Sequence, residues 1–315
     1  MSRTKLFLVT MGVATALSAA GATAAEPDSC KTIRFSDVGW TDITATTATA
    51  SVIVEALGYQ PEVQVLSVPV TYASLKNNDI DVFLGNWMPT MEADIAPYRE
   101  DGSVETLVTN LEGAKYTLAV PQYTYDAGLK SFEDIAQFKD QLGAKIYGIE
   151  PGNDGNRLIL DMIEKDQFGL GDFELVESSE AGMLSQIARA VQSEQQVVFL
   201  GWEPHPMNAN IEMAYLEGGD DVFGPNYGGA TVLTNTRKGY AQECPNAGKL
   251  FTSMIFSLDM ENEIMGAILD DGTEPREAAK AWLTKNPEAF EPWLQGVTTF
   301  DGGDAGAAVK SALGL

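Results

Sequence analysis

The chain alternates short apolar runs with helical ones, and near its middle the alternation starts again. "KTIRFSDV" reads as a strand and leads into a Thr/Ala-rich helix through "ATASVIVEALGY"; "EVQVLSV", "VTYASLKNNDI" and "DVFLGNW" follow as strand, helix and strand. Strands joined by helices cannot pair as hairpins. They pair in parallel through crossover connections, with the helices over the sheet faces. A second unit follows in "AKYTLAVPQYT", "AKIYGIE", "NRLILDMIEKDQF", "FELVESS", "MLSQIARAVQSE" and "QVVFLGW". After "GGATVLTNT" the chain turns helical, in "CPNAGKLFTSMIF", "MENEIMGAILDD", "PREAAKAWLTKNP" and "AGAAVKSAL". The pattern predicts an α/β protein of two lobes, each a mostly parallel sheet flanked by helices, the second inserted into the first. Lobe A would comprise residues 25–114 and 230–315 and lobe B residues 115–229, with crossings near Lys115 and Gly229. A chain of 315 residues that is 44% hydrophobic is long enough to fill two such cores.

The first 24 residues read as a secretory signal peptide. Arg3 and Lys5 make a positive start, Leu6 to Ala20 an apolar run, and Ala22-Thr23-Ala24 a small-residue cleavage site. The rival, an uncleaved membrane anchor, needs a longer and more apolar core. No Leu-x-x-Cys lipobox precedes the site. The expected location is therefore the periplasm. Cys30 and Cys244 are the two cysteines, and an oxidising compartment favours a disulfide between them. With the single His205 they lack the spacing of a metal site, so no metal and no cofactor is expected. The formal charge of −25 repels nucleic acid and anionic lipid, and exerts only a weak, salt-screened pull on cations.

In open parallel sheets, ligands bind beyond the carboxyl ends of the strands. "RFSDVGW" ends in Trp40 with Asp42 just past it, "DVFLGNW" in Trp87, and "QVVFLGW" in Trp202 followed by Glu203. A lone tryptophan at a strand end is commonly a packing residue. Three of the five tryptophans at equivalent positions in two lobes point instead to a shared cleft; Trp282 and Trp293 fall in helical segments and read as packing. Facing aromatic walls suit a cation without N–H donors. Such a group cannot hydrogen-bond, and each desolvated π contact can contribute about 2 kcal/mol. Asp42 would add Coulombic attraction. "AKIYGIEPGNDGN" ends in a Gly-rich turn with Asn153, Asp154 and Asn156. It lacks the lysine of a phosphate-binding loop, and Asp154 opposes an anion. Helix capping and ligand contact account equally for Asn153.

A Ser-His-Asp hydrolase would have to use His205, and no G-x-S-x-G elbow accompanies it. A chemotaxis or sensor receptor would share fold and ligand, and the sequence leaves that alternative open.

The stretches "FSDVGWTDITATTATA", "VPVTYASLKNNDIDVFLGNWMPTM", "GAKYTLAVP", "YGIEPGNDGNRLI", "FLGWEPHPMN" and "FGPNYGGATV" carry a resemblance over essentially the whole mature chain. The sequence resembles the periplasmic choline- and betaine-binding proteins that serve ABC importers, the choline-binding members most. The resemblance implies a two-lobe periplasmic binding protein fold, type II-like, closing on its ligand about hinges. It implies an aromatic box of Trp40, Trp87, Tyr116 and Trp202 around a trimethylammonium group. Asp42 would face the charge, and Asn153 would bond the ligand hydroxyl. It further implies a monomer that delivers its ligand to an inner-membrane permease and ATPase complex, and no enzyme activity.

Within that family the residues favour choline over glycine betaine or proline betaine. A carboxylate calls for Arg, Lys or clustered backbone N–H groups. The motif stretches offer Asp42, Asn153, Asp154 and Glu203, with only Arg157 basic near the turn. Arg157 falls within a helix and is expected to point away. Acetylcholine and betaine stay open as further ligands.

Overall fold

The computed structural model describes residues 26–315; the leader predicted over residues 1–24 lies outside the described residues. Nine strands form one continuous curled sheet: β1 (Thr32–Asp37), β2 (Gln60–Val65), β3 (Val82–Met88), β4 (Val104–Pro121), β5 (Lys145–Tyr147), β6 (Glu174–Val176), β7 (Phe199–Glu203), β8 (Met213–Tyr215) and β9 (Gly229–Arg237). Their order is β2-β1-β3-β9-β4-β7-β5-β6, with β8 also paired to β4.

The pairing is more mixed than the alternation predicts. β1 pairs in parallel with β2 and β3, and β5 with β6 and β7, as crossover connections require. The central pairings are antiparallel: β9 lies between β3 and β4, and β4 also pairs with β7 and β8. The reason is β4, an 18-residue strand of which only the last part read as a strand in the sequence. Its first part pairs with β9 from Val104 opposite Arg237 to Lys115 opposite Gly229, with three register shifts on the way. From Lys115 opposite Glu203 onward it pairs with β7. One strand thus runs through both lobes and β9 returns beside it.

Helices cover both halves of the sheet. α1 (Thr41–Ala56), α2 (Val68–Asn77) and α3 (Glu92–Glu100) follow β1, β2 and β3. α4 (Asp154–Glu164) and α5 (Glu180–Gln192) follow β5 and β6, and α6 (Leu258–Leu269) and α7 (Pro275–Lys285) come after β9 and pack against α1. Ile33, Phe35, Ile53 and Phe83 are fully buried in the first lobe, and Ile146, Ile159, Ile187 and Leu200 in the second. α1 is buried almost all round, which its Thr/Ala composition permits: the hydroxyls of Thr49 and Ser51 bond back to the carbonyls of Ala45 and Thr47. Cys30 and Cys244 are disulfide-bonded, with Cα atoms 5.6 Å apart, tying the start of the described chain to the segment before the helix Pro245–Ser253. Among the described residues no helix is long and apolar enough to cross a membrane.

Candidate ligand-binding site

Between the two lobes lies a cavity lined by Trp40, Asp42, Trp87, Tyr116, Ile149, Asn153 and Trp202. The six residues that the resemblance implies, Trp40, Asp42, Trp87, Tyr116, Asn153 and Trp202, meet there, whereas Asp154, Asn156 and Glu203 do not line it. Ile149, one residue before Glu150 in the loop after β5, completes the wall; it carried no signal, because an apolar residue at a strand end is ordinarily core.

Local backbone chemistry sets each side chain. The turn from β1 into α1 passes through Gly39 at φ +82°, in the left-handed region that favours glycine, and Gly39 N donates to Asp37 Oδ1 at 2.7 Å. This turn delivers Trp40 as the N-cap of α1 and Asp42 as its second residue. Trp87 and Trp202 close β3 and β7, and each stands one residue before a cis X–Pro bond, Met88–Pro89 and Glu203–Pro204. Tyr116 lies in β4 directly opposite Trp202 on β7. Asn153 is the N-cap of α4: its Oδ1 accepts from Asn156 N at 3.0 Å. The capping reading is therefore correct, and the same side chain also lines the cavity.

The rings meet as the walls of a box. Tyr116 stands edge-on to Trp87, with centroids 6.0 Å apart at 61°, and to Trp202, 6.2 Å apart at 85°. Tyr116 is locked by its hydroxyl, which donates to Asn153 Oδ1 at 2.9 Å. That approach needs Gly155, where an added Cβ would lie 2.1 Å from the tyrosine oxygen. Two indole N–H groups are committed to carboxylates: Trp40 Nε1 to Glu150 Oε1 at 2.7 Å and Trp87 Nε1 to Asp42 Oδ2 at 3.0 Å. They are not spare donors for a ligand. The four rings and Asp42 are at least 94% buried.

The polar groups are few and acidic. Asp42 Oδ1 is buried without a hydrogen-bond partner. Burial, and secondarily the charge of Glu180, push the Asp42 carboxyl up to about 8, against the opposing pull of Trp87 and the first-turn N–H groups. Burial likewise raises Glu150 to about 7 and Asp154 to about 6. Asn153 Nδ2 donates to Asp154 Oδ1 at 3.1 Å, which leaves its amide one further N–H. A site with π faces, one carboxylate and one amide suits a compact cation that carries a neutral hydrogen-bonding tail.

Other candidates lie elsewhere. Arg157 points away from the cavity, to the Thr90 carbonyl at 3.0 Å and Asp94 at 2.7 Å. Glu203 pairs with Lys115 at 3.2 Å. His205 is buried with both ring nitrogens engaged: Nδ1 accepts from Met207 N at 2.9 Å and Nε2 meets Glu180 Oε1 at 3.1 Å. Trp293 is buried and donates to the Ile255 carbonyl, and Trp282 donates to Glu263, consistent with packing roles.

The family model described as the substrate-binding domain of ABC-type glycine betaine transport systems matches residues 31–285. A solved ABC-transporter choline binding protein in complex with choline is 70% identical; the match covers 91% of this chain and all of that one, with a TM-score of 0.90. An ABC-transporter choline binding protein in an unliganded, semi-closed conformation has the same identity and coverage but a TM-score of 0.84. The arrangement seen here is thus nearer the choline complex. Lactococcal OpuAC, closed and complexed with glycine betaine, is 25% identical over 84% of this chain and 99% of its own, with a TM-score of 0.76. The chain belongs to the family of substrate-binding domains of ABC-type glycine betaine transport systems.

Proposed function

We propose that this protein binds choline in the periplasm and delivers it to the permease and ATPase of an ABC importer, without catalysing a reaction. One observation carries the reading: four aromatic rings and the carboxylate of Asp42 converge on a single buried cavity whose only other polar side chain is Asn153. The trimethylammonium group would sit among Trp40, Trp87, Tyr116 and Trp202, held by π faces and by Asp42 rather than by hydrogen bonds. The remaining N–H of Asn153 would donate to the ligand hydroxyl. The likeness to the choline complex supports this assignment.

The lining also opposes glycine betaine and proline betaine. It presents no arginine or lysine to a carboxylate, and its one carboxyl group, Asp42, would repel one. With seven heavy atoms, choline has an affinity ceiling near −10 kcal/mol at about −1.5 kcal/mol per atom, which is compatible with high-nanomolar to low-micromolar binding.

Lobe A would comprise residues 25–114 and 230–315 and lobe B residues 115–229. The change in β4's pairing at Lys115, opposite Gly229, supports that division. The box then draws Trp40, Asp42 and Trp87 from one lobe and Tyr116, Asn153 and Trp202 from the other, so a monomer closes around its ligand. Calorimetric titration with choline, glycine betaine, carnitine and proline tests the assignment. Choline is expected to bind most tightly; equal or tighter binding of glycine betaine would overturn it. Loss of choline uptake on deleting the protein distinguishes transport from sensing.

A further inference from the structure

The first turn of α1 carries Trp40 and Asp42, yet the N-cap residue makes no side-chain capping bond. The cap comes from across the cleft. Glu180, the first residue of α5, accepts from Thr41 N at 2.9 Å through Oε2 and from the Thr41 hydroxyl at 2.5 Å through Oε1. Glu180 is buried, and its Oε1 also meets His205 Nε2 at 3.1 Å. Because His205 Nδ1 accepts a backbone N–H, Nε2 is the donor in that contact. A carboxylate at a helix N-terminus satisfies orphan N–H groups and complements the helix dipole.

The same contact places a second negative charge near Asp42 in a site with little water. After burial, Glu180 is the largest cause of the raised Asp42 carboxyl, and it also acts on Asp37 and Glu150. The groups facing the pair are Asp37 from β1, Tyr116 from β4, Glu150 from the loop after β5, Glu261 from α6, and His205 after β7. Arg157 on α4 offers no relief, being held by Asp94 and Thr90. Closing the cleft therefore gains a helix cap and brings like charges together. A cation in the box removes the second effect and keeps the first.

We propose that Glu180 makes closure conditional on a cation: it caps α1 from the opposite lobe, and its charge disfavours the closed cleft unless a positive group lies beside Asp42. Glu180 is in this sense a positioning residue that acts through Thr41 and Asp42. The proposal rests on the cation-box reading above, and it goes beyond that reading by assigning ligand discrimination to a residue outside the box. A neutral molecule of choline's shape would fill the rings and still leave two carboxylates opposed.

The test is Glu180→Gln, which keeps the shape and an acceptor for Thr41 N but removes the charge. The preference for choline over the neutral isostere 3,3-dimethyl-1-butanol is expected to shrink about tenfold, with the isostere binding the variant more tightly than the wild type because the opposed charges no longer resist closure around it. Without ligand, small-angle scattering at pH 8.5 should show Glu180→Gln more compact than the wild type. Acidification to pH 5.5 should compact the wild type much more than the variant, because a proton then substitutes for the cation. Glu180→Asp should restore the preference for choline over the isostere, whatever its absolute affinity. Equal shifts for both ligands, with unchanged ligand-free scattering, would mean that Glu180 is only a cap and would overturn the proposal. If the wild type does not prefer choline to the isostere, the cation-box reading fails, and the ligand-free scattering alone decides the role of Glu180.

Discussion

Trp87 and Asp42 face the same cavity and are bonded to each other: the indole N–H of the first donates to Oδ2 of the second at 3.0 Å, leaving Oδ1 without a partner. One bond therefore fixes a wall of the box and the orientation of its charge. Trp87→Ala should lower choline affinity by at least about a hundredfold, since it removes a π face, admits water and frees Asp42. Trp87→Phe keeps a ring but no donor and should fall between the two. Trp202→Ala should resemble Trp87→Ala. Titration calorimetry, on variants shown to be folded by circular dichroism, measures each.

Charge and shape separate with the neutral isostere. 3,3-Dimethyl-1-butanol should bind wild type at least a hundredfold more weakly than choline, a difference of about 3 kcal/mol or more from lost cation–π and Coulomb attraction. Asp42→Asn should weaken choline less than the tryptophan deletions do and should not weaken the isostere. Binding of the isostere within tenfold of choline would show the cavity to be an apolar pocket.

The pH dependence follows from Asp42, raised to about 8. Without ligand, the folded closed form holds this proton more tightly than the unfolded chain does. The associated stability is present at low pH and is lost as pH rises toward about 8. A bound cation favours the ionised carboxylate, so choline affinity moves the other way. It should rise from about pH 6 to about pH 8 by at most tenfold per unit for one proton, and then level off. Glu150 and Asp154, raised to about 7 and about 6, act in the same direction. Below about pH 8, binding should release protons, which calorimetry in buffers of different ionisation enthalpy detects. Asp42→Asn should flatten the upper part of the profile.

Arg157 bonds Asp94 and the Thr90 carbonyl, joining α4 to α3 and the segment before it beside the box. Both partners are partly exposed, so the pair is worth little on its own. Its geometry nevertheless opposes opening. Arg157→Met should speed choline release about three- to tenfold with little change in the association rate, as measured by stopped-flow tryptophan fluorescence. An unchanged dissociation rate would show that the clasp does not bear on opening.

The Cys30–Cys244 bridge closes a separation of 214 residues. Chain-entropy arithmetic for so long a loop gives about 5 kcal/mol as a ceiling. Because neither cysteine lines the cavity, reduction or Cys30→Ser with Cys244→Ser should lower the melting temperature while leaving choline affinity within about twofold. Non-reducing alkylation of the exported protein should modify neither thiol.

The strand-end tryptophans were legible because a parallel strand presents its carboxyl end to the cleft, so Trp40, Trp87 and Trp202 share an address that the sequence displays. Tyr116 has no such address. It lies inside β4, and its importance comes from facing Trp202 across a ladder and from the glycine at position 155, neither of which is local in sequence. The first part of β4, "VETLVTNLEG", reads poorly as a strand because its register shifts disturb alternation and its glycine suggests a turn. Glu180 was silent for another reason. A glutamate opening a helix is commonplace, and only the tertiary approach of Thr41 gives it a distant partner.

The residues at which β4 changes partners sit side by side with the start of β9, Lys115 opposite Gly229. Two hydrogen-bonded strands form a ribbon that resists shear in its own plane and flexes more readily out of it. Opening should therefore be a swing with essentially one degree of freedom, without sliding of one lobe past the other. The box would part along a single seam, with Trp40, Asp42 and Trp87 on one leaf and Tyr116, Asn153 and Trp202 on the other. A ligand escaping by that route breaks its contacts with one leaf while still resting on the other, so entry and departure share the same sequence of half-bound states.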